Sequence, residues 1–360
     1  MSRASSTLAP ETTLRYRDVM RLALLTLVTL IALPATACTA FLLERAGARV
    51  VGKSYDWNEG RGHVTWNPAG VSRRALVPPS GGTPARWSSR YASLTFNQFG
   101  HELPNAGMND QGLVVEILWL SESSYPKADA LPAHNPLSWV QYLLDQAANL
   151  DEATALARKV RVVPMAGAKV HWFACDRSGE CAVFEYLQGA LTVTRGRQLG
   201  PKVITNDTCA ASRVALGRSH GRVPAGRASL ARYVRTAVSL AAVRREHDLV
   251  TAAFTRLDNV RQGDYTKWQV VYEPGAAKVH WRVGAGVPWR TIRMGTLDSR
   301  CVSGARILDV ATESAGDVTG RLVPYSGLAN RTLVRGTFAT LGAPDLADLV
   351  AVWPDGSTCQ

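Results

Sequence analysis

Apolar and polar positions alternate along most of the chain after residue 38. Segments 40–44 and 49–55 read as two strands joined at Ala46-Gly47. Segments 64–66, 75–77 and 93–99 read as further strands, and 112–120 (GLVVEILWL) is apolar enough for a central strand. A Pro- and Ser-rich polar loop, 121–135, follows. The spacing then becomes helical over 136–148 and over 151–159, with Asp151 placed as an N-cap. Strands are expected again at 168–174 and 182–186, which form a hairpin, and at 191–194 and 203–205. Helices are expected over 228–242 and 249–259, then strands at 268–272, 278–283 and 289–294. Strands and helices come in blocks rather than in βαβ alternation. That order predicts an α+β fold of antiparallel sheet layers sandwiched by helices. No repeat, low-complexity segment or linker divides it.

The first 37 residues follow a different pattern. Residues 1–14 are polar. Arg15, Arg17 and Arg21 precede an apolar stretch, 22–33, which is short for a bilayer span. Ala35-Thr36-Ala37 then supplies a small-residue cleavage site. This predicts a signal peptide over 1–37, one domain over 38–360, and export to the periplasm or the cell exterior. Two other readings stay open: an anchor that remains attached, and a surface lipoprotein or binding module with Cys38 lipidated. Against the lipoprotein, Ala35 stands where a lipobox favours leucine. Cleavage leaves 323 residues (360 − 37), enough to bury a substantial core.

Formal net charge is +12. The leader accounts for +2 (Arg3, Arg15, Arg17 and Arg21 against Glu11 and Asp18), which leaves +10. Such an excess suits anionic ligands or a membrane surface. The positive charges are scattered without a Lys/Arg run, so no nucleic-acid interface is expected. Of six cysteines, Cys175 and Cys181 bracket a turn and are placed to pair, and Cys301 with Cys359 would staple the C-terminal tail. Cys38 and Cys209 are left over.

Gly47 to Ser54 spell G-x-x-x-x-G-K-S, but Arg49-Val50-Val51 read as strand and no helix follows, so phosphate cradling is not expected. The histidines, among them His63, His101, His134 and His171, lack zinc-site spacing. There is no C-x-x-C and no G-x-S-x-G elbow. No metal or cofactor is called for. Cys38 is the remaining chemistry. As residue one of a processed chain it would carry a thiol, with a pKa of about 8.5, beside an α-amine of about 7.7–8.0. The amine can take the thiol proton, a nearby cation can hold the thiolate, and a carboxylate can fix the amine. Lys53 and Asp56 lie on the strand paired with the one that Cys38 opens. Three residues apart, they face opposite sides of an ideal strand, so a bend is needed for both to reach Cys38.

Several stretches, in order, carry a resemblance: Cys38-Thr39, Gly52-Lys53-Ser54-Tyr55-Asp56-Trp57, Gly107-Met108-Asn109-Asp110-Gln111-Gly112-Leu113, Thr205-Asn206-Asp207, Ala231-Arg232-Tyr233-Val234-Arg235 and Gly263-Asp264-Tyr265-Thr266-Lys267-Trp268. Together they resemble the choloylglycine hydrolase family, which includes penicillin V acylases and conjugated bile salt hydrolases. The resemblance implies a four-layer αββα N-terminal-nucleophile sandwich and cleavage of small-molecule linear amides. It implies Cys38 as nucleophile, Asp56 as the carboxylate that positions its amine, and Asn206 as a side-chain oxyanion donor. Trp119 would give a backbone N–H to the same oxyanion, and Arg232 would line the site. Lys53 stands where most relatives have arginine. Asn109 and the aromatic Trp57 and Trp66 are candidates for substrate contact. Only 25 residues separate Asn206 from Arg232, where tetrameric bile salt hydrolases carry a longer assembly insertion, so the oligomeric state is left open. Trp57 and Trp119 resemble the Gram-negative penicillin V acylase branch, which tends toward acyl-homoserine lactones.

Overall fold

Strands Thr39–Arg45 and Ala48–Asp56 pair antiparallel, from Thr39 opposite Ser54 to Arg45 opposite Ala48. Between them Ala46 and Gly47 take φ of 48° and 85°. This left-handed pair suits a two-residue turn between twisted strands. The hairpin belongs to a computed structural model that describes residues 38–127, 129–165, 167–242, 248–353 and 357–359. The leader read into 1–37 lies outside them.

Around this hairpin grows a seven-stranded sheet. Its order is Val203–Ile204, Thr39–Arg45, Ala48–Asp56, Thr266–Glu273, Lys278–Arg282, Arg290–Arg293 and Gly316–Asp317. A nine-stranded antiparallel sheet lies against it. That order is Ala190–Arg195, Cys181–Leu187, Val170–Cys175, Val114–Trp119, Ala106–Asn109, Ser93–Asn97, His63–Asn67, Arg306–Asp309 and Val323–Pro324.

Period-2 alternation divides each strand between two layers. Ala40 and Leu42 pack between the sheets with Val114, Leu118 and Phe173. Phe41 and Leu43 turn outward to Tyr233, Val234, Phe254 and Leu257 on helices Ser229–Ala241 and Leu249–Asn259. Val115 and Ile117 turn outward to Trp139, Leu143 and Leu144 on helix Pro136–Gln146. The result is the expected helix–sheet–sheet–helix sandwich.

The cysteines pair as expected, Cys175 with Cys181 and Cys301 with Cys359, and Cys38 and Cys209 are free. Other expectations shift. The strand placed at 75–77 is instead Val71–Arg74, cut short of Pro78-Pro79. The helix expected from Asp151 begins at Leu150, and its cap is Asn149, whose side chain accepts the Glu152 N–H at 3.0 Å. Asp151 sits instead in the first turn, near the positive end of the helix. Helices Cys209–Ser219, Gly327–Thr340 and Ala347–Ala351 were not anticipated. The last two pack Val334, Phe338 and Val350 onto Leu76 and Leu103.

Gly52 lies flat beneath Phe41. A Cβ there would come 2.6 Å from Phe41 Cζ, on a ring that is fully buried. Gly52→Ala should therefore destabilise the fold by about 1–3 kcal/mol through overpacking. Urea denaturation checks this; an unchanged midpoint would mean that the Phe41 ring moves freely.

Candidate active site

Cys38 precedes the first strand at the inner face of the seven-stranded sheet and is buried. Its Sγ donates to Asp56 O, 3.9 Å away. Opposite Asp56 the neighbouring strand carries a bulge. The register slips between Thr266 and Trp268, opposite Asp56 and Tyr55, so Lys267 is an extra residue. Thr266 thereby faces Asp56. The Thr266 hydroxyl and the Ser54 hydroxyl, the latter at 2.8 Å, both donate to Asp56 Oδ1. Asp56 Oδ2 is buried and has no hydrogen-bond partner among the described residues. Burial pushes the Asp56 carboxyl up, against the pull of the Thr266 and Ser54 hydroxyls, Arg232 and Lys53.

Arg232, fully buried on helix Ser229–Ala241, organises the other side. One guanidinium nitrogen donates to Cys38 O at 2.6 Å and to Thr39 Oγ1 at 2.7 Å; the other donates to Asn206 Oδ1 at 2.8 Å. Guanidinium only donates, so the oxygen of the Asn206 amide must face it. Asn206 Nδ2 accordingly donates to Trp119 O, 3.0 Å away on the opposite sheet. The amide nitrogen keeps a second hydrogen.

Trp119 N–H faces the same way as its carbonyl. Leu120 N donates to Lys169 O on one side of the strand, and Ile117 N to Asn105 O on the other. Alternation therefore turns the Trp119 amide to the Asn105 side, past the end of the ladder there. Asn206 Nδ2–H and Trp119 N–H thus share one edge.

Lys53 occupies the same inner face as Cys38, but its ammonium does not bond the thiol. It reaches the opposite sheet, donating to Ile117 O at 2.6 Å and pairing with Glu116 Oε2 at 3.1 Å, with both side chains buried. Burial pushes the Cys38 thiol up; Lys53 is the strongest influence in the other direction.

Trp57 flanks this cluster, its ring centroid 6.2 Å from that of Trp119. Tyr55 lies beneath, stacked on Trp268 at 4.2 Å. The structure does not bring Trp66 or Asn109 to Cys38. Trp66 sits three strands from Trp119 in the sheet order, its indole N–H bonded to Asp298 O at 2.9 Å. Asn109 spends its polar atoms on the fold. It donates to Leu144 O and Ala147 O at 2.9 and 2.7 Å and accepts the N–H groups of Gln111 and Leu113 at 3.2 and 2.9 Å. It closes a turn and caps a helix end, which accounts for an asparagine here without substrate contact.

Thr266, Ser54 and Glu116 were missed in the sequence. Glu116 had a visible signal: a lone acid inside the apolar run 112–120 requires a buried partner.

Residues 38–213 match the sequence profile of linear amide C-N hydrolases, choloylglycine hydrolase family. A penicillin V acylase from Pectobacterium atrosepticum is 27% identical over 189 residues, which cover 47% of this chain and 49% of that protein. The chain thus matches about half the length of this curated relative. Among solved structures, penicillin V acylase from Agrobacterium tumefaciens superposes with a TM-score of 0.71 at 24% identity, over 80% of this chain and 98% of the other. A conjugated bile acid hydrolase from Clostridium perfringens gives 0.65 at 16% identity, over 78% and 99%. These likenesses show the fold.

Glu116→Leu strands the Lys53 charge and should cost about 3–5 kcal/mol. The double variant Lys53→Met/Glu116→Leu should recover most of that loss. Denaturant titration of the three proteins decides the matter; equal losses in single and double variants would contradict a coupled buried pair.

Proposed function

We propose that this chain, a member of the choloylglycine hydrolase family of linear amide C-N hydrolases, is exported and hydrolyses small-molecule amides through Cys38 as an N-terminal nucleophile. Asp56 carries this reading. Its Oδ2 is a buried acceptor without a partner among the described residues, on the residue whose own carbonyl holds the Cys38 thiol. A buried carboxylate oxygen needs a donor. The α-ammonium of Cys38, freed by cleavage after Ala37, would be a donor of the right charge for it.

In the first half-reaction the Cys38 amine takes the thiol proton and the thiolate attacks the amide carbonyl carbon. The carbonyl π electrons move to oxygen, where Asn206 Nδ2–H and Trp119 N–H donate to the oxyanion. Each such donor is worth roughly 3 kcal/mol in the transition state. The α-ammonium then protonates the leaving nitrogen, the C–N bond breaks, and the acyl group stays on sulfur as a thioester. In the second half the amine takes a proton from water, hydroxide attacks the thioester, and the C–S bond breaks. The acid leaves and the sulfur regains its proton.

Arg232 holds the Cys38 carbonyl and the Asn206 amide oxygen in fixed relation. Reacting groups placed this way avoid the entropic cost of assembling them at each turnover. Lys53 adds positive potential without touching sulfur. Trp57 and Trp119 offer an aromatic wall to an acyl group. Penicillin V, acyl-homoserine lactones and conjugated bile acids are the substrates to assay, given the named relatives. The competing reading, a lipidated surface protein, removes both the thiol and the basic amine.

Cys38→Ala in the mature protein is expected to keep the fold and lose all turnover on these amides; hydrolysis above the uncatalysed rate would reject the mechanism. Asp56→Asn should lower kcat/KM by about 100-fold, because an amide misplaces the amine. Intact mass of the purified protein separates the readings: a bare Cys38 terminus fits the enzyme, and a diacylglyceryl adduct fits the lipoprotein.

A further inference from the structure

His171 and Glu185 lie buried behind Asn206 and take no part in the steps above. His171 is on strand Val170–Cys175, on the face whose alternate residues Phe173 and Cys175 join the core between the sheets. Its Nε2 is 2.8 Å from Thr205 O, across the gap from one sheet to the other. Its Nδ1 is 3.4 Å from Glu185 Oε1 on the adjacent strand Cys181–Leu187. The same Glu185 oxygen accepts the Cys209 N–H at 3.0 Å, at the first residue of helix Cys209–Ser219.

A carbonyl oxygen only accepts, so Nε2 carries a proton and donates it to Thr205 O. On the other side of the ring Nδ1 faces Glu185 Oε1. The ring is thus fixed at both nitrogens.

Thr205 C=O and Asn206 N–H belong to one planar peptide unit. His171 holds the carbonyl end of that plane. Ser229 holds the other end, accepting the Asn206 N–H at 2.8 Å and donating to Thr205 Oγ1 at 3.0 Å. A plane gripped at both ends sets the direction in which the Asn206 side chain leaves the backbone. Arg232 then sets the amide itself.

We infer that the His171–Glu185 pair is a positioning device for the oxyanion donor, acting on Asn206 through the Thr205–Asn206 peptide plane. The inference rests on the reading of Asn206 given above. Loss of a pair that only supported the fold would lower stability without singling out the transition state. Loss of a device aimed at Asn206 lowers kcat and leaves KM in place, because the ground-state carbonyl makes little use of the donor.

The test compares His171→Leu and His171→Gln in the mature enzyme, each with and without Asn206→Ala. His171→Leu is expected to lower kcat about tenfold, a fraction of what removal of a whole donor costs, with KM unchanged. His171→Gln, whose amide nitrogen reaches the place of Nε2, should restore most of the rate. In the Asn206→Ala background His171→Leu should bring no further loss. The same loss in both backgrounds, or no loss in the parent enzyme, would overturn the inference while leaving Cys38 chemistry intact. An Asn206→Ala enzyme as fast as the parent would reject the oxyanion reading itself. Should His171→Leu fail to fold, the ring 15N spectrum of the parent protein decides: a protonated Nε2 supports the device, and a bare Nε2 overturns it.

Discussion

One buried guanidinium ties the site together. Arg232 donates to the carbonyl of Cys38, to the hydroxyl of Thr39 and to the side chain of Asn206. It does so from a helix on the outer layer of the seven-stranded sheet, so it fastens that layer to the start of the first strand and to the loop after Ile204. Burial of the charge disfavours it and lowers the Arg232 pKa, and Asp56 and Cys38 oppose that shift. With the Arg227 carbonyl, which accepts from Nε at 3.1 Å, its four partners leave the planar fork little freedom, which is why a lysine would not serve equally.

The same logic recurs between the sheets. Lys53 crosses to Ile117 and Glu116, Asn206 crosses to Trp119, and His171 crosses back to Thr205. Apolar packing alone would let two twisted sheets slide on one another. Directional bonds fix their offset at the place where sub-ångström placement matters. Buried polar groups are expensive unless satisfied, and several of them are spent on these crossings.

Much of this was legible in the sequence. Alternation gave the first hairpin to within a residue at each end, and the position of the cysteines around one turn and along the C-terminal tail gave both disulfides. Cys38, Lys53 and Asp56 could be read because they lie on two strands joined by a short turn, where register follows from chain connectivity. The partner of Lys53 could not be read. Period-2 patterning says that Glu116 and Lys53 face inward, but which residues meet depends on the twist and offset of two separate sheets. Asn109 misled for a related reason: a polar residue in a recognisable stretch looks like a ligand contact until its bonds to Leu144 and Ala147 are seen. Trp66 misled because an aromatic in an alternating strand serves a core as well as a pocket. The C-terminal helices went unread because Gly327–Thr340 mixes small and polar residues without a clear apolar stripe.

The grip on the Cys38 carbonyl also has a bearing on maturation. Arg232 fastens the peptide unit that follows Cys38, so the position of sulfur is set by the folded body and not by whatever precedes it. On the proposed mechanism, a molecule trimmed one residue too early would fold, present the thiol correctly and still lack a base, because the Cys38 nitrogen would be an amide. On that mechanism mis-trimmed molecules would accumulate as well-folded but silent protein, invisible to any assay of structure.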